Sequence, residues 1–165
     1  MAVVSFLMSR SIQAKLTDRW SQFFLSQESY FVTLTFNWRG RVTAASAVRA
    51  LRDLSHRLDA DRLGGRFYEF GSPDRTLFVL VPEKFDSYAH YHGLVMRPDD
   101  ARAKNPVQDF PELLAKSWSA VVPGGSFDCQ PLRSGGALDY ATKETAITSD
   151  HVVGSFEFWG SKSVR

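Results

Sequence analysis

Apolar residues recur along this chain with two different periods, and the switches between them mark out its elements. Ile12, Leu16, Trp20, Phe23 and Phe24 stand at helical spacing and predict an amphipathic opening helix over about residues 11–26. Tyr30-Phe31-Val32-Thr33-Leu34-Thr35-Phe36 alternates, is rich in β-branched and aromatic residues, and predicts a central strand. Val48, Leu51, Leu54 and Leu58 return to the helical period over roughly residues 44–60, and Gly64-Gly65 ends that helix. Arg66-Phe67-Tyr68-Glu69-Phe70 and Thr76-Leu77-Phe78-Val79-Leu80-Val81 read as strands joined by a Gly71-Ser72-Pro73-Asp74 turn, and another strand covers about residues 88–96.

Asp109-Phe110-Pro111-Glu112 has the form of a capping box, opening a helix whose apolar stripe is Phe110, Leu113, Leu114, Trp118 and Val121. Pro123-Gly124-Gly125 stops it, and Ser126 to Leu132 can form a further strand. Ser134-Gly135-Gly136 then precedes a last helix carrying Tyr140 and Lys143. Behind the opening helix the order is β-α-β-β-β-α-β-α. Short connections between successive strands favour antiparallel pairing. The expected fold class is α+β: an antiparallel central β-sheet with helices packed on it, as one domain over residues 1–165. Phe156-Glu157-Phe158-Trp159 should dock on the core, and the basic end from Lys162 to Arg165 should fray.

Composition narrows this picture. With 165 residues, 44% apolar and 13% aromatic, the chain can bury one sizeable core. The formal net charge of +2 hides a local concentration: Arg39, Arg41, Arg49, Arg52, Arg57, Arg62 and Arg66 fall in one stretch, against Asp53, Asp59 and Asp61. A single cysteine, Cys129, excludes an intramolecular disulfide and a multi-cysteine zinc site, and fits a reducing setting. The apolar start from Met1 to Met8 precedes the first basic residue, Arg10, which reverses the order of a secretory signal. No run approaches the roughly 20 apolar residues of a membrane span. The expectation is a soluble, cytoplasmic protein with no membrane partner.

The candidate chemistry lies in Ala89-His90-Tyr91-His92-Gly93-Leu94-Val95. Alternate side chains of a strand share a face, so His90 and His92 point together and Tyr91 points into the opposite layer. Two imidazoles so placed can bind one divalent metal, although strand histidines are also often merely hydrogen-bonded. A carboxylate third ligand would shift the choice towards Mn or Mg. Glu83 ends the preceding strand, and a hairpin through Lys84-Phe85-Asp86-Ser87 would fold it beside the histidines. Glu69 is the alternative, if its segment is the adjacent strand.

Tyr140 and Lys143 are three residues apart and share a helix face, which brings an ammonium near a phenol. A phenol, with a free pKa near 10, attacks phosphorus only with help from a metal or a neighbouring charge. Trp38, beside Arg39 and Arg41, offers a surface on which a base can stack, and Arg49 and Arg52 can meet phosphates.

A Thr-rich hydrophobic strand, then His-hydrophobic-His, then Tyr-x-x-Lys resembles the HUH endonuclease superfamily, especially the single-tyrosine initiators of rolling-circle replication. The three motifs are Phe31 to Phe36, His90-Tyr91-His92 and Tyr140-Ala141-Thr142-Lys143. The resemblance implies that His90, His92 and Glu83 hold Mg or Mn. It implies that Tyr140 attacks a backbone phosphate of single-stranded or hairpin origin DNA, leaving a 5′-phosphotyrosine and a free 3′-hydroxyl, and that Lys143 balances charge. The element served would be a plasmid, phage or related mobile element. No Gly-x-x-x-x-Gly-Lys-Ser/Thr occurs, so no helicase domain is expected, and unwinding would fall to a host helicase and replication proteins. A small single-tyrosine transposase of the same superfamily is the near alternative, although Lys143 stands where those enzymes usually carry Gln. A non-catalytic RRM-like nucleic-acid-binding module is the distant one, using aromatics on its central strands.

Overall fold

A computed structural model describes residues 19–20, 22–37, 42–71, 74–83, 89–133 and 152–159. Strand β1 (Ser29–Thr35) leads to helix α1 (Ala44–Leu63), followed by the hairpin strands β2 (Leu77–Glu83) and β3 (His90–Met96). Helix α2 (Phe110–Val121), strand β4 (Phe127–Pro131) and the short strand β5 (Val153–Gly154) complete the set. The five strands form one antiparallel sheet in the order β4-β1-β3-β2-β5. The expected α+β class with helices packed on an antiparallel sheet is what the chain forms. Residues 19–20 and 22–25 are helical, and the rest of the expected opening helix lies outside the described residues.

Local signals explain the helix ends. Thr43 caps α1 by accepting from the Ser46 amide at 3.1 Å, Ser46 returns the bond, and Gly64 ends the helix at φ +86°, a conformation that suits a residue without Cβ. The Asp109 carboxylate caps α2 by accepting from the Glu112 amide at 2.9 Å.

Alternation sorts the strand residues into two faces. Tyr30, Val32, Leu34 and Phe36, with Phe78, Leu80, Tyr91 and Val95, are buried against Leu51, Leu54 and Leu58 of α1 and Phe110, Leu114 and Trp118 of α2. Burial of these side chains, at about 25 cal/mol per Å² of apolar surface, is the main force holding the helices on the sheet. On the opposite face, among the described residues, Phe24, Leu77, Leu94 and Met96 cluster at one end with Trp20, Phe31 and Val79.

One expectation needs correction. Arg66 to Phe70 is not a strand: Phe67–Glu69 is a single 3-10 turn in which only Phe67 is buried. The aromatic content of this run looks like a strand, but with glycines on both sides its residues serve to turn the chain from α1 back towards β2. The sheet instead gains β5, whose two residues pair with Val79 and Leu80 on the far edge of β2. From there a 3-10 turn, Ser155–Phe158, docks Phe158 in the core, as expected of that aromatic run, while Phe156 is exposed.

The spacing of β2 and β3 depends on one glycine. A Cβ added to Gly93 would collide with the Val79 carbonyl oxygen and lie 3.0 Å from the Leu80 Cα, so the two strands come this close only because the position carries no side chain.

Candidate metal centre

The β2–β3 hairpin brings the acid and the two imidazoles together. In its register Glu83 lies directly across from His90, and Val81 across from His92. Residues directly opposite in an antiparallel pair share a face with Cβ atoms about 5 Å apart, so the Glu83 carboxylate stands over both rings. Its Oε2 atom lies 3.0 Å from His90 Nε2 and 2.5 Å from His92 Nε2. The ring centroids are 4.9 Å apart and nearly perpendicular, at 84°. Among the described residues, these three offer one ligand atom each within 4.8 Å of one another, a group able to hold a metal ion.

The donor chemistry fits a divalent ion. Two imidazole nitrogens and one carboxylate oxygen on one side leave further positions for solvent or substrate, the pattern of a catalytic rather than a closed structural site. The His90 Nε2–Glu83 Oε2 contact is a hydrogen bond when that nitrogen carries the ring proton. To present an Nε2 lone pair to a metal, each neutral ring must carry its proton on Nδ1, so an ion would take the place of the close Glu83 contacts.

The floor around the cluster is set by β1 and β4. Thr35 pairs with His90, Thr33 with His92, and Asp128 with Thr33, which puts all of them on the same face. Thr35 is held at the sheet end: its hydroxyl contacts the Ser126 hydroxyl and accepts from the Ser126 amide at 3.0 Å, and its carbonyl accepts from Trp118 Nε1 at 3.3 Å. Phe31, on the same face, stacks on the His92 ring with centroids 6.3 Å apart and planes 22° from parallel. In the sequence Phe31, Thr33 and Thr35 belong to a motif with no assigned role in the site. The phase of their alternation against buried Val32, Leu34 and Phe36 is the signal that puts them on the histidine face.

Tyr91 goes the other way, into the core, where burial pushes its phenol up to about 12. Tyr30, on the same helix-covered side, is also raised to about 12, by burial and by its bond to Glu28. Neither phenol faces the histidines.

The remaining sequence-derived residues fall elsewhere. Glu69 sits on the 3-10 turn, half exposed, 3.8 Å from Arg66, and is not part of the cluster. Arg49 is exposed and Arg52 pairs with Asp53 at 3.6 Å. Both belong to α1, which packs on the face opposite the histidines. Arg62 is not on a solvated face: it is 1% exposed and gives its N–H groups to the Asp100 carboxylate and to the carbonyls of Asp74 and Asp99. Trp38, Arg39, Arg41, the hairpin loop 84–88, Tyr140 and Lys143 lie outside the described residues.

Among the described residues no helix is long and apolar enough to cross a membrane. No known protein family, curated protein or solved structure matches the chain.

Proposed function

We propose that this chain is a metal-dependent nuclease of the HUH type, which nicks and rejoins single-stranded DNA through a 5′-phosphotyrosine bond and so initiates rolling-circle replication of a small genetic element. The observation carrying the reading is the Glu83, His90 and His92 cluster on one face of an antiparallel sheet, with possible ligand atoms within 4.8 Å of one another. The order of the Thr-rich strand, the His-x-His strand and the Tyr-x-x-Lys segment in the chain supports it.

A Mg or Mn ion bound there would supply a Lewis acid at the scissile phosphate. Glu83, His90 and His92 would hold it, their positions set by the register of β2 against β3. The Tyr140 oxygen forms the new bond to phosphorus while the bond from phosphorus to the 3′ oxygen breaks. The phenol loses a proton and the departing 3′ oxygen gains one, so no net proton is consumed. Lys143 offsets the negative charge that gathers on the phosphate. The phosphodiester energy is kept in the protein–DNA bond, and a 3′-hydroxyl attacking it restores the strand without a nucleotide cofactor. The Trp38, Arg39 and Arg41 segment, which follows the Thr-rich strand in the chain, is the assigned contact for unpaired DNA.

The test is a pool of labelled single-stranded oligonucleotides incubated with Mn and separated under denaturing conditions. The wild-type chain should retain label covalently, and Tyr140→Phe should retain none. Label retained by Tyr140→Phe would remove the nucleophile assignment.

A further inference from the structure

Among the described residues, the His92 ring has an aromatic neighbour that the metal reading does not use. Phe31 is half-buried on the histidine face. It pairs across β1 and β3 with Leu94, the next residue after His92 on that face, and its ring stacks on the His92 imidazole. His90 lies on the other side of His92 along the same strand and meets that ring edge-on at 4.9 Å. The imidazole therefore stands between an aromatic face and an aromatic edge. Rotation of a histidine ring about its last side-chain bond has broad, soft minima, so hydrogen bonding alone leaves the plane loosely defined. A flat ring on one side and a perpendicular ring on the other narrow it to the orientation that aims Nε2 at the Glu83 carboxylate.

We infer that Phe31 is a positioning residue for the metal centre, holding the His92 ring in its ligating plane and covering one face of the imidazole. The inference rests on the metal reading of the Glu83, His90 and His92 cluster, but not on the DNA chemistry. A metal-bound imidazole carries added positive charge, which the negative face of an aromatic ring favours, so the contact strengthens when the site is loaded. Phe31 also packs beside Leu94 and Val79. A purely space-filling role is therefore the competing account, and the two differ in what a non-aromatic filler does. Leucine can fill the space and cannot supply a flat π face.

The experiment compares wild type, Phe31→Leu and Phe31→Tyr. Mn affinity is read from the electron paramagnetic resonance signal of free Mn, His92 ring order from long-range ¹H–¹⁵N spectra of metal-free protein, and fold from the thermal midpoint in chelator. Phe31→Leu should bind Mn about tenfold more weakly, the lower end of what loss of an outer-shell partner costs. It should also broaden or multiply the His92 ring signals with the chelated midpoint nearly unchanged, while Phe31→Tyr should restore wild-type affinity. Wild-type affinity and a single sharp His92 signal in Phe31→Leu would overturn the inference and leave the metal centre standing. Absence of Mn binding by the wild-type chain would instead remove the metal reading itself. If Phe31→Leu loses its fold, Phe31→Met repeats the comparison with a more adaptable filler, read against the same outcomes.

Discussion

Two clusters of charged and polar side chains are anchored on β2 or just before it, and they have opposite relations to water. Ahead of the strand, Arg75 and Asp59 form an ion pair at 2.7 Å, both side chains 0% exposed, with the Thr76 amide donating to the second carboxylate oxygen at 2.8 Å. The guanidinium lies over the rings of Phe67 and Trp159, at 5.2 and 5.7 Å, and its two terminal nitrogens find no hydrogen-bond partner among the described residues. At the other end, Glu83 meets His90 and His92 with side chains 14%, 12% and 10% exposed. The first cluster is sealed and can only hold the fold together. The second keeps a small exposure at each of its three side chains, as a group able to hold a metal ion needs. Burial that stabilises and burial that tunes chemistry differ here by a small residual exposure.

The sharpest way to break the contrast is to remove one partner of the sealed pair. Asp59→Ala leaves a buried guanidinium without its counter-charge, and loss of a partner in such pairs costs about 3–5 kcal/mol. Urea unfolding should show a loss of that size. Mn affinity of the fraction still folded should be unchanged, and a drop in affinity would mean that the two clusters are not independent.

The converse substitution is Glu83→Gln, which keeps the volume and removes the charge. Mn affinity should fall on the order of a hundredfold, at or beyond the range for outer-shell partners. Stability in chelator should fall by about 1–3 kcal/mol, less than at the sealed pair, since the mostly buried carboxylate loses charge-assisted contacts to two rings. Isothermal titration and urea unfolding of the same preparation provide both numbers.

The smallest effect lies beside the sealed cluster. His56 is buried, and burial lowers its pKa, with Arg75 and Arg52 adding to the lowering and the Phe158 carbonyl opposing it. The unfolded chain takes up a proton near the ordinary 6.5, while the folded chain resists it. Stability from this residue is therefore complete above about pH 6.5 and is lost as pH falls below that value towards the folded pKa. Unfolding midpoints measured in chelator between pH 7.5 and about 5 should decline less steeply in His56→Gln than in wild type. Parallel curves would assign the acid sensitivity elsewhere.

The two clusters are not equally legible in the sequence. The open one can be read because its parts are local: alternation puts His90 and His92 on one face, and a hairpin between consecutive strands delivers Glu83. The sealed one escapes notice. Asp59 reads as a counter-charge on an arginine-rich helix, yet it continues the four-residue row of Leu51 and Ser55 towards Leu63, and all four are buried. That row is visible, but a carboxylate on it becomes intelligible only when Arg75 arrives from another element. The same limit hides β5, whose two residues are too few to show a period and are recruited by the free edge of β2. It also explains the 67–69 turn, where composition points to a strand and the connection between α1 and β2 requires a bend.

Gly93 turns the gap between two strands into a property of the centre. The Glu83 carboxylate reaches both rings because the β2 backbone comes in where a methyl group would collide with the Val79 carbonyl. Any side chain at that position wedges β2 outwards and carries Glu83 with it, while His90 and His92 stay on their own strand. The cluster can thus be dismantled from behind with all three side chains intact, which separates what the three residues are from how far apart the backbone holds them.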